Sequence, residues 1–218
     1  MSQPIFQGNL FSRQRDAVEH IAPELTLLPG FAAPTGPLID AIQAIALRAP
    51  FRHLATRGGG RMSVAMTNCG EWGWHSDERG YEYVACDPKT GQPWPALPPL
   101  FADLAARAAR QGGFAGFQPD ACLINRYEPG AQLGTHRDYD EADMSHPIVS
   151  VSIGVPAEFA WWGEKRTGKP IAIAVEDGDV LVWGGGARAG YHGVRKLGYA
   201  QHPVTGELRY NLTFRRAK

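Results

Sequence analysis

The sequence lacks the features of a secreted, membrane-spanning or strongly basic protein. It contains only three cysteines and no C-x-x-C pair, which indicates reduced thiols in a cytosolic protein. It has no run of about 18 apolar residues that could span a membrane, and its N-terminus has no apolar signal segment. We therefore expect a cytoplasmic protein that makes no contact with a membrane. A net charge of +0 excludes a strongly basic nucleic-acid binder as a description of the whole chain.

Charge is distributed unevenly along the chain. Residues 1–159 carry 12 basic and 17 acidic side chains, whereas residues 160–218 carry 10 basic and 5 acidic ones. If the protein contacts a polyanion, we expect the contact to involve residues 160–218. Chance asymmetry of a solvated surface explains the counts equally well.

The apolar pattern predicts a mainly β fold with flanking helices. The 218 residues, 44% of them hydrophobic, suffice for one well-filled domain. Apolar residues at helical spacing predict helices over 37–49 and 98–111. Short β-branched or alternating segments predict strands over 121–127, 148–154, 158–162, 171–175, 179–183 and 209–214. This spacing is typical of an antiparallel sandwich or barrel of the jelly-roll kind. The loop-rich segment 52–97 is long enough to carry substrate contacts.

Two H-x-D triplets are candidate pairs of metal ligands, His75-x-Asp77 and His136-x-Asp138. Residues two apart in an extended backbone point to the same side, so either pair could chelate one ion. The first triplet lies in the loop-rich segment with charged neighbours, and we interpret it as a surface cluster. The second follows the predicted strand 121–127.

A third ligand for the second triplet is available in His192, which follows another predicted strand and three glycines. Together with His136 and Asp138 it supplies two imidazoles and one carboxylate. This is the facial triad of non-haem Fe(II) oxygenases, which leaves open coordination positions for oxygen and a co-substrate.

The segment Arg209–Arg215 alternates between an apolar and a polar face. The polar face consists of Arg209, Asn211, Thr213 and Arg215 and contains no carboxylate. Solvent exposure is the ordinary interpretation of such a face. However, 2-oxoglutarate is a dianion that requires guanidinium and small polar groups, and this face supplies both. Asn125 and Tyr127 share one face of an earlier strand and could donate further hydrogen bonds.

Ten segments of the sequence resemble the AlkB family of Fe(II)- and 2-oxoglutarate-dependent dioxygenases, in that family's order and spacing. They extend roughly from residue 49 to residue 215: PFRHLATRGG, MSVAMTNCG, GWHSDERGYEY, DPKTGQPWPA, FQPDACLINRYEPGAQL, HRDYDE, PIVSVSIGVPA, VWGG, YHG and RYNLTFR. The first 48 residues and residues 157–177 match less well. The sequence departs from the family at Gly134-Thr135, before the first ligand, and at Tyr139.

The resemblance implies a single Fe(II)/2-oxoglutarate dioxygenase domain over 1–218 with the double-stranded β-helix (jelly-roll) fold. It implies a nucleotide-recognition lid over approximately 50–97 and a catalytic jelly-roll core over 118–216. The implied iron ligands are His136, Asp138 and His192. The implied 2-oxoglutarate contacts are Asn125, Tyr127, Arg209, Asn211 and Arg215. The implied substrate contacts are Thr56, Trp74, Tyr81, Tyr83, Asp140 and Arg166.

The function implied by the resemblance is oxidative dealkylation of 1-methyladenine and 3-methylcytosine in DNA, with RNA as a further candidate. The reaction consumes O2, decarboxylates 2-oxoglutarate to succinate and releases formaldehyde. Such bases are cationic, which the Asp140 carboxylate would favour, and Trp74 offers a flat face for a flipped base. Lys165, Arg166 and Lys169 lie on a predicted hairpin and could bind phosphates. We expect a monomer whose partner is alkylated single-stranded DNA, with duplex DNA and RNA as alternatives.

Three rival interpretations follow from the same residues. A related dioxygenase acting on protein or lipid would not need the aromatic lid residues Trp74 and Tyr81. A catalytically inactive sensor of damaged bases would not need an intact triad with Arg209 and Arg215. A cupin-like structural metal protein predicts four closed ligands and no arginine-rich strand.

Overall fold

The computed structural model describes residues 17–218, which form strands and two α-helices around one cavity. In chain order the elements are β1 (Glu19–Ala22), β2 (Leu25–Leu28), α1 (Gly36–Arg48), β3 (Ala65–Gly70), β4 (Gly73–Asp77), β5 (Gly80–Val84), α2 (Pro99–Gln111), β6 (Ala121–Tyr127), β7 (Leu133–His136), β8 (Ile148–Gly154), β9 (Ala157–Gly163), β10 (Ile171–Val175), β11 (Val180–Trp183), β12 (Tyr191–Val194) and β13 (Arg209–Arg215). Both predicted helices and all six predicted strands are confirmed, with bounds that differ by at most one residue.

The strands form two facing antiparallel sheets and a separate hairpin. The large sheet has seven strands in the order β1-β2-β11-β8-β13-β6-β3, and the small sheet has four in the order β10-β9-β12-β7. This arrangement is the expected jelly roll, or double-stranded β-helix. Strands β4 and β5 pair only with each other, as a two-stranded hairpin.

Two apolar clusters hold these layers together. Leu123, Ile148 and Leu181 of the large sheet pack against Phe159 and Val194 of the small sheet, between the layers. The outer face of the large sheet packs against both helices through a second cluster, which includes Leu38, Ile42, Phe101, Leu104, Val149, Val151, Leu212 and Phe214. Neither helix of the described residues is long and apolar enough to cross a membrane.

Strand β13 shows why the inner face of the large sheet can be polar. Leu212 and Phe214 point outward into the helix-covered cluster. The alternating residues Arg209, Asn211 and Thr213 therefore point inward, where they line the cavity between the sheets. The polar face of β13, which the sequence alone could assign either to solvent or to a co-substrate site, is therefore buried.

The structure divides segment 50–97 into two parts. Strand β3 pairs along β6 and extends the large sheet. Hairpin β4–β5 stands apart from both sheets and contributes Trp74 and Tyr81 to the cavity. Its position is held by Asn68, whose buried side chain bonds both the backbone N–H and the carbonyl oxygen of Trp74, at 3.0 Å each.

Candidate active site

One cavity of about 380 Å³ lies between the two sheets, beneath hairpin β4–β5. This volume falls within the range of about 300–1,000 Å³ that is usual for small-molecule sites. The cavity wall contains most of the site residues predicted from the sequence: Thr56, Trp74, Tyr81, Asn125, Tyr127, His136, Asp138, Asp140, His192, Arg209, Asn211 and Arg215.

The pairing of β7 with β12 brings the candidate metal ligands together. His192 is the direct register partner of His136, although 55 residues separate them in sequence. One ligand atom from each of His136, Asp138 and His192 lies within 4.8 Å of the others. His136 Nε2 is 3.8 Å from one Asp138 carboxylate oxygen, and His192 Nε2 is 3.9 Å from the other. This donor set fits an Fe(II) ion with open coordination positions.

Backbone carbonyl groups orient both imidazoles towards the ion position. His136 Nδ1 is 2.8 Å from the carbonyl oxygen of Gly134, and His192 Nδ1 is 2.9 Å from that of Gly190. A carbonyl oxygen can only accept, so each Nδ1 carries a proton, and in the neutral imidazole Nε2 is the nitrogen with a free lone pair. Fixing the tautomer in this way is a common device around metal-binding histidines.

Aromatic rings enclose His192. Its ring stacks on Phe159 and Trp161, with centroid distances of 5.4 and 6.2 Å, and Trp183 lies edge-on at 5.2 Å. Burial, together with the nearby His136 ring, lowers the pKa of His192 to about 4. The imidazole is therefore neutral at neutral pH, the form that binds a metal ion.

Asp138 is held as a carboxylate by the end of strand β13. Arg215 Nη2 donates to an Asp138 oxygen at 2.7 Å. Burial raises the pKa of the Asp138 carboxyl, but the Arg215 guanidinium and the two imidazoles outweigh burial and hold that pKa below its usual value. Asp138 is therefore ionised and available as a ligand at neutral pH.

Behind Asp138 lies a buried network that sequence reasoning missed. Glu141 forms two ion pairs through its carboxylate. One is with Arg215, whose Nε lies at 3.2 Å, and the other is with Arg188, whose Nη2 lies at 2.9 Å. Arg188 also donates to the Asp138 backbone carbonyl at 3.0 Å. Glu141 is the last residue of the segment HRDYDE, but no sequence motif indicated that it would pair with Arg188.

Tyr83 belongs to this network and not to the cavity wall. Its hydroxyl donates to Glu141 at 2.7 Å, and its side chain is buried. Burial raises the pKa of the Tyr83 hydroxyl well above its usual value, so the group stays a donor. The structure therefore places Tyr83 against Glu141, and its substrate contact stays a prediction.

The inner faces of β6 and β13 form the candidate co-substrate site. Register pairing places Arg209 opposite Tyr127 and Asn211 opposite Asn125. Arg209 Nη2 donates to Ser152 at 3.1 Å, and Asn211 donates to Ser150 at 2.8 Å. These two serines alternate with apolar residues along β8, a pattern in the sequence that indicates a polar inner face on this strand as well.

Several polar atoms in this part of the cavity have no partner within the described chain. They are Nε and Nη1 of Arg209, the Tyr127 hydroxyl and Oδ1 of Asn125. Leaving buried polar groups unpaired is costly, by about 1–3 kcal/mol each. A carboxylate of 2-oxoglutarate would supply the missing acceptors beside Arg209, so these residues fit that molecule.

Trp74, Tyr81 and Asp140 form an aromatic and acidic rim at the mouth of the cavity. Trp74 stacks on Tyr81 at 5.5 Å, and its Nε1 donates to an Asp140 carboxylate oxygen at 2.8 Å. One face of the indole is therefore covered by Tyr81, while the residue still lines the cavity. Thr56 also lies at this rim, where its hydroxyl donates to the Gly60 carbonyl at 3.3 Å.

Two candidates lie elsewhere. Arg166 is exposed on the turn of the β9–β10 hairpin and does not line the cavity. Asp77 pairs with Arg79 at 3.8 Å, and neither His75 nor Asp77 belongs to a metal-ligand group among residues 17–218. The interpretation of that triplet as a surface cluster agrees with this placement.

The chain matches the 2OG-Fe(II) oxygenase superfamily over residues 24–215. The fold and the cavity therefore define an iron- and 2-oxoglutarate-dependent oxygenase. Fe(II), 2-oxoglutarate and O2 are its cofactor and co-substrates. The solved structure of OsALKBH1 shares the architecture, with a TM-score of 0.80 and 28% identity over 92% of this chain and all of that one.

Comparison with known proteins narrows the class to a family. The sequence is 51% identical over 210 residues to the alpha-ketoglutarate-dependent dioxygenase AlkB of Salmonella typhimurium, which covers 96% of this chain and 97% of that protein. Identity to AlkB of Escherichia coli is 53% over 180 residues, or 83% of each chain. The AlkB homolog of Caulobacter vibrioides is 41% identical over 210 residues, covering 92% of this chain and 94% of that one. The chain belongs to the AlkB family.

Proposed function

We propose that this protein repairs nucleic acid by oxidative removal of alkyl groups from damaged bases, chiefly 1-methyladenine and 3-methylcytosine. The proposal rests on the combination of residues that line a single cavity. It joins a two-histidine, one-carboxylate triad to an aromatic and acidic rim formed by Trp74 and Asp140.

We assign His136, Asp138 and His192 as the iron ligands. When bound, Fe(II) with O2 and 2-oxoglutarate supplies oxidation of an N-methyl carbon, and succinate and formaldehyde are the products. The protein contributes a neutral His192, an ionised Asp138 and two imidazoles whose Nε2 atoms would bind the ion. Trp161, Phe159 and Trp183 keep water away from the buried side of His192.

We assign Arg209 to the carboxylate of 2-oxoglutarate that lies far from the metal. Arg209 is buried, and its Nε and Nη1 lack a partner, so its guanidinium has N–H groups free to donate to a carboxylate. Arg215 is already engaged by Asp138 and Glu141 and therefore serves the metal end of the site. Asn125, Tyr127 and Asn211 provide the remaining polar wall.

We assign the cavity-facing side of Trp74 to the flipped base, with His136 on the other side of that base. The hydrogen bond from Trp74 Nε1 fixes Asp140 at the edge of this slot. A carboxylate there favours a cationic methylated base over a neutral one. Tyr81 backs the indole, so the stacking surface is formed before substrate arrives.

Alkylated single-stranded DNA is the proposed partner, because the cost of unstacking the target base, a few kcal/mol, is lower than in a duplex. Exposed Lys165, Arg166 and Lys169 on the β9–β10 turn are available for phosphates outside the cavity. We propose a cytoplasmic monomer. The three free cysteines agree with a reducing compartment.

Mass spectrometry of methylated oligonucleotides tests the proposal. Wild-type enzyme with Fe(II), 2-oxoglutarate and air should remove the methyl group of 1-methyladenine, fastest in single-stranded DNA. Parallel duplex and RNA substrates rank the alternative partners. The Asp138→Ala protein should be inactive but folded. An unchanged methyl mass with wild type, beside robust succinate formation on a protein or lipid substrate, would replace the repair function by another dioxygenase function.

A further inference from the structure

Tyr139 is an exposed aromatic residue at the mouth of the active-site cavity. The residue is 59% exposed. It stands between Asp138 and Asp140, both of which line the cavity. Because consecutive Cα atoms are about 3.8 Å apart, the Tyr139 backbone lies next to the cavity wall.

A cation fixes the Tyr139 ring from one side. The Arg137 guanidinium carbon lies 4.7 Å from the Tyr139 ring centroid and 5.3 Å from that of Tyr191. The three side chains thus form a stack of ring, guanidinium and ring. Such cation–π contacts contribute about 0.5–1 kcal/mol at exposed sites, and they limit the conformations of the ring in advance of binding.

Arg137, which contacts both tyrosine rings, lies between the active-site cavity and a second groove. Arg137 lines both the cavity and a groove of about 410 Å³ that is walled largely by small residues, including Gly186, Ala187 and Gly190. This groove also carries the carboxylates of Glu24 and Glu164, so Arg137 and Tyr139 at its border with the cavity suit a nucleic-acid strand better than the groove floor does. Arg137 lies over one face of the Tyr139 ring, and 59% of the residue remains exposed, which leaves surface of the ring available to a base.

We propose that Tyr139 is a stacking platform for the base next to the target base, on one side of the damaged nucleotide. This inference rests on the proposed action on nucleic acid. Stacking suits every base, because each has a flat π face, so the contact would add affinity without sequence preference. Arg137 and Tyr191 act as positioning residues that hold the ring.

The test combines a change in the protein with a change in the substrate. Tyr139→Ala removes the platform, and an abasic sugar beside 1-methyladenine removes the stacked base. Three single-stranded oligonucleotides are compared: one with intact neighbours, one abasic on the 5′ side and one abasic on the 3′ side. Binding to the anaerobic iron-loaded enzyme is measured by fluorescence anisotropy, and kcat/KM is measured in air.

Tyr139→Ala should weaken binding and kcat/KM for the intact oligonucleotide roughly 5- to 150-fold, the usual range for loss of one stacked base. For one of the two abasic oligonucleotides, Tyr139→Ala should change binding and kcat/KM by less than about twofold, because the base that would stack on Tyr139 is already missing. Tyr139→Phe should behave as wild type. Tyr199→Ala, which removes an even more exposed tyrosine that lines neither cavity nor groove, should change nothing.

Two results would overturn the inference. An equal loss on all three oligonucleotides would mean that Tyr139 acts through the fold or the metal site, which slower succinate formation without nucleic acid would report independently. No loss on any oligonucleotide would mean that Tyr139 makes no such contact. If wild type binds the intact oligonucleotide but leaves its methyl group, the repair function fails, while anisotropy still decides the role of Tyr139.

Discussion

Three arginines in residues 160–218 are buried in the site and do not belong to the basic surface that the charge count suggested. Arg188 and Arg215 are paired with Glu141, whereas Arg209 keeps unpartnered nitrogens. Exposed Arg137, from the acidic part of the chain, lies at the cavity rim instead. The charge count of residues 160–218 therefore overstates their basic surface by these three arginines, whereas Lys165, Arg166 and Lys169 remain exposed. A charge count assigns no burial, and here burial separates the arginines by function.

Arg209→Ala should raise the KM for 2-oxoglutarate by two to four orders of magnitude, since removing one partner of a buried charge pair typically costs about 3–5 kcal/mol. Oligonucleotide affinity should be nearly unchanged. Arg126→Ala provides the control, because Arg126 is on the neighbouring strand β6 but packs on Phe51, outside the cavity. Steady-state kinetics with varied 2-oxoglutarate decide the matter. A KM within about threefold of wild type would remove Arg209 from the co-substrate site.

Glu141→Ala should destabilise the fold strongly, because it leaves Arg188 and Arg215 buried without their shared carboxylate. The expected loss is about 3–5 kcal/mol, or a fall in Tm of roughly 6–20 °C for a chain of this size. The exposed pair of Asp103 and Arg107 on α2 is the matched control. Asp103→Ala should cost less than about 1 kcal/mol. Similar Tm values for the two variants in thermal unfolding would contradict the structural role of Glu141.

At the scale of elements, β7 and β12 explain what sequence reasoning could and could not find. Strands with clear alternation or β-branched runs, such as β6 and β8, were predicted with their observed bounds. Strands β7 and β12 are four residues long and contain glycine and histidine, so periodicity gave no signal. The ligands were expected to follow strands, whereas His136 ends β7 and His192 lies within β12.

Pairing between distant elements could not be deduced from the sequence. The triad residues were identified by chemistry and order, but their convergence depends on the β7–β12 register. The Glu141–Arg188 pair joins residues that no motif connects, and Tyr83 was assigned to the substrate because nothing in the sequence reports its burial.

Gly190→Ala tests how β12 is positioned. A Cβ atom there would lie 2.1 Å from the Trp161 ring, so either the ring or the backbone that accepts the His192 bond must move. Fe(II) affinity should fall about 10- to 100-fold, as is typical when a group supporting a metal ligand is disturbed. Gly198→Ala is the control, because a Cβ there meets nothing within 4 Å. Equal Fe(II) affinity of both variants, measured by anaerobic titration, would rule out this role for Gly190.

At the scale of the whole molecule, the helices cover the outer face of the large sheet, and the hairpin with its aromatic residues stands at the mouth between the sheets. We therefore expect substrate to enter from the side of β4–β5, where Trp74 and Tyr81 line the cavity. Binding of nucleic acid should then rely more on stacking than on phosphate neutralisation.

The salt dependence of oligonucleotide binding should accordingly be shallow. A neutral chain that neutralises about two to four phosphates predicts a slope of log affinity against log salt of roughly −1.5 to −3 for single strands. Anisotropy titrations between low and moderate salt measure it. A slope of roughly −4 or steeper, which corresponds to six or more neutralised phosphates, would show that a larger basic surface dominates binding.

The most direct test of the central claim is the stoichiometry of one reaction. With a single-stranded oligonucleotide that contains one 1-methyladenine, the number of succinate molecules formed and the number of methyl groups lost are counted in the same sample. If one cavity holds both the iron site and the base, the two numbers should rise together in a ratio near one, and the Asp138→Ala enzyme should form neither product. Succinate formation that is independent of methyl loss would contradict the account.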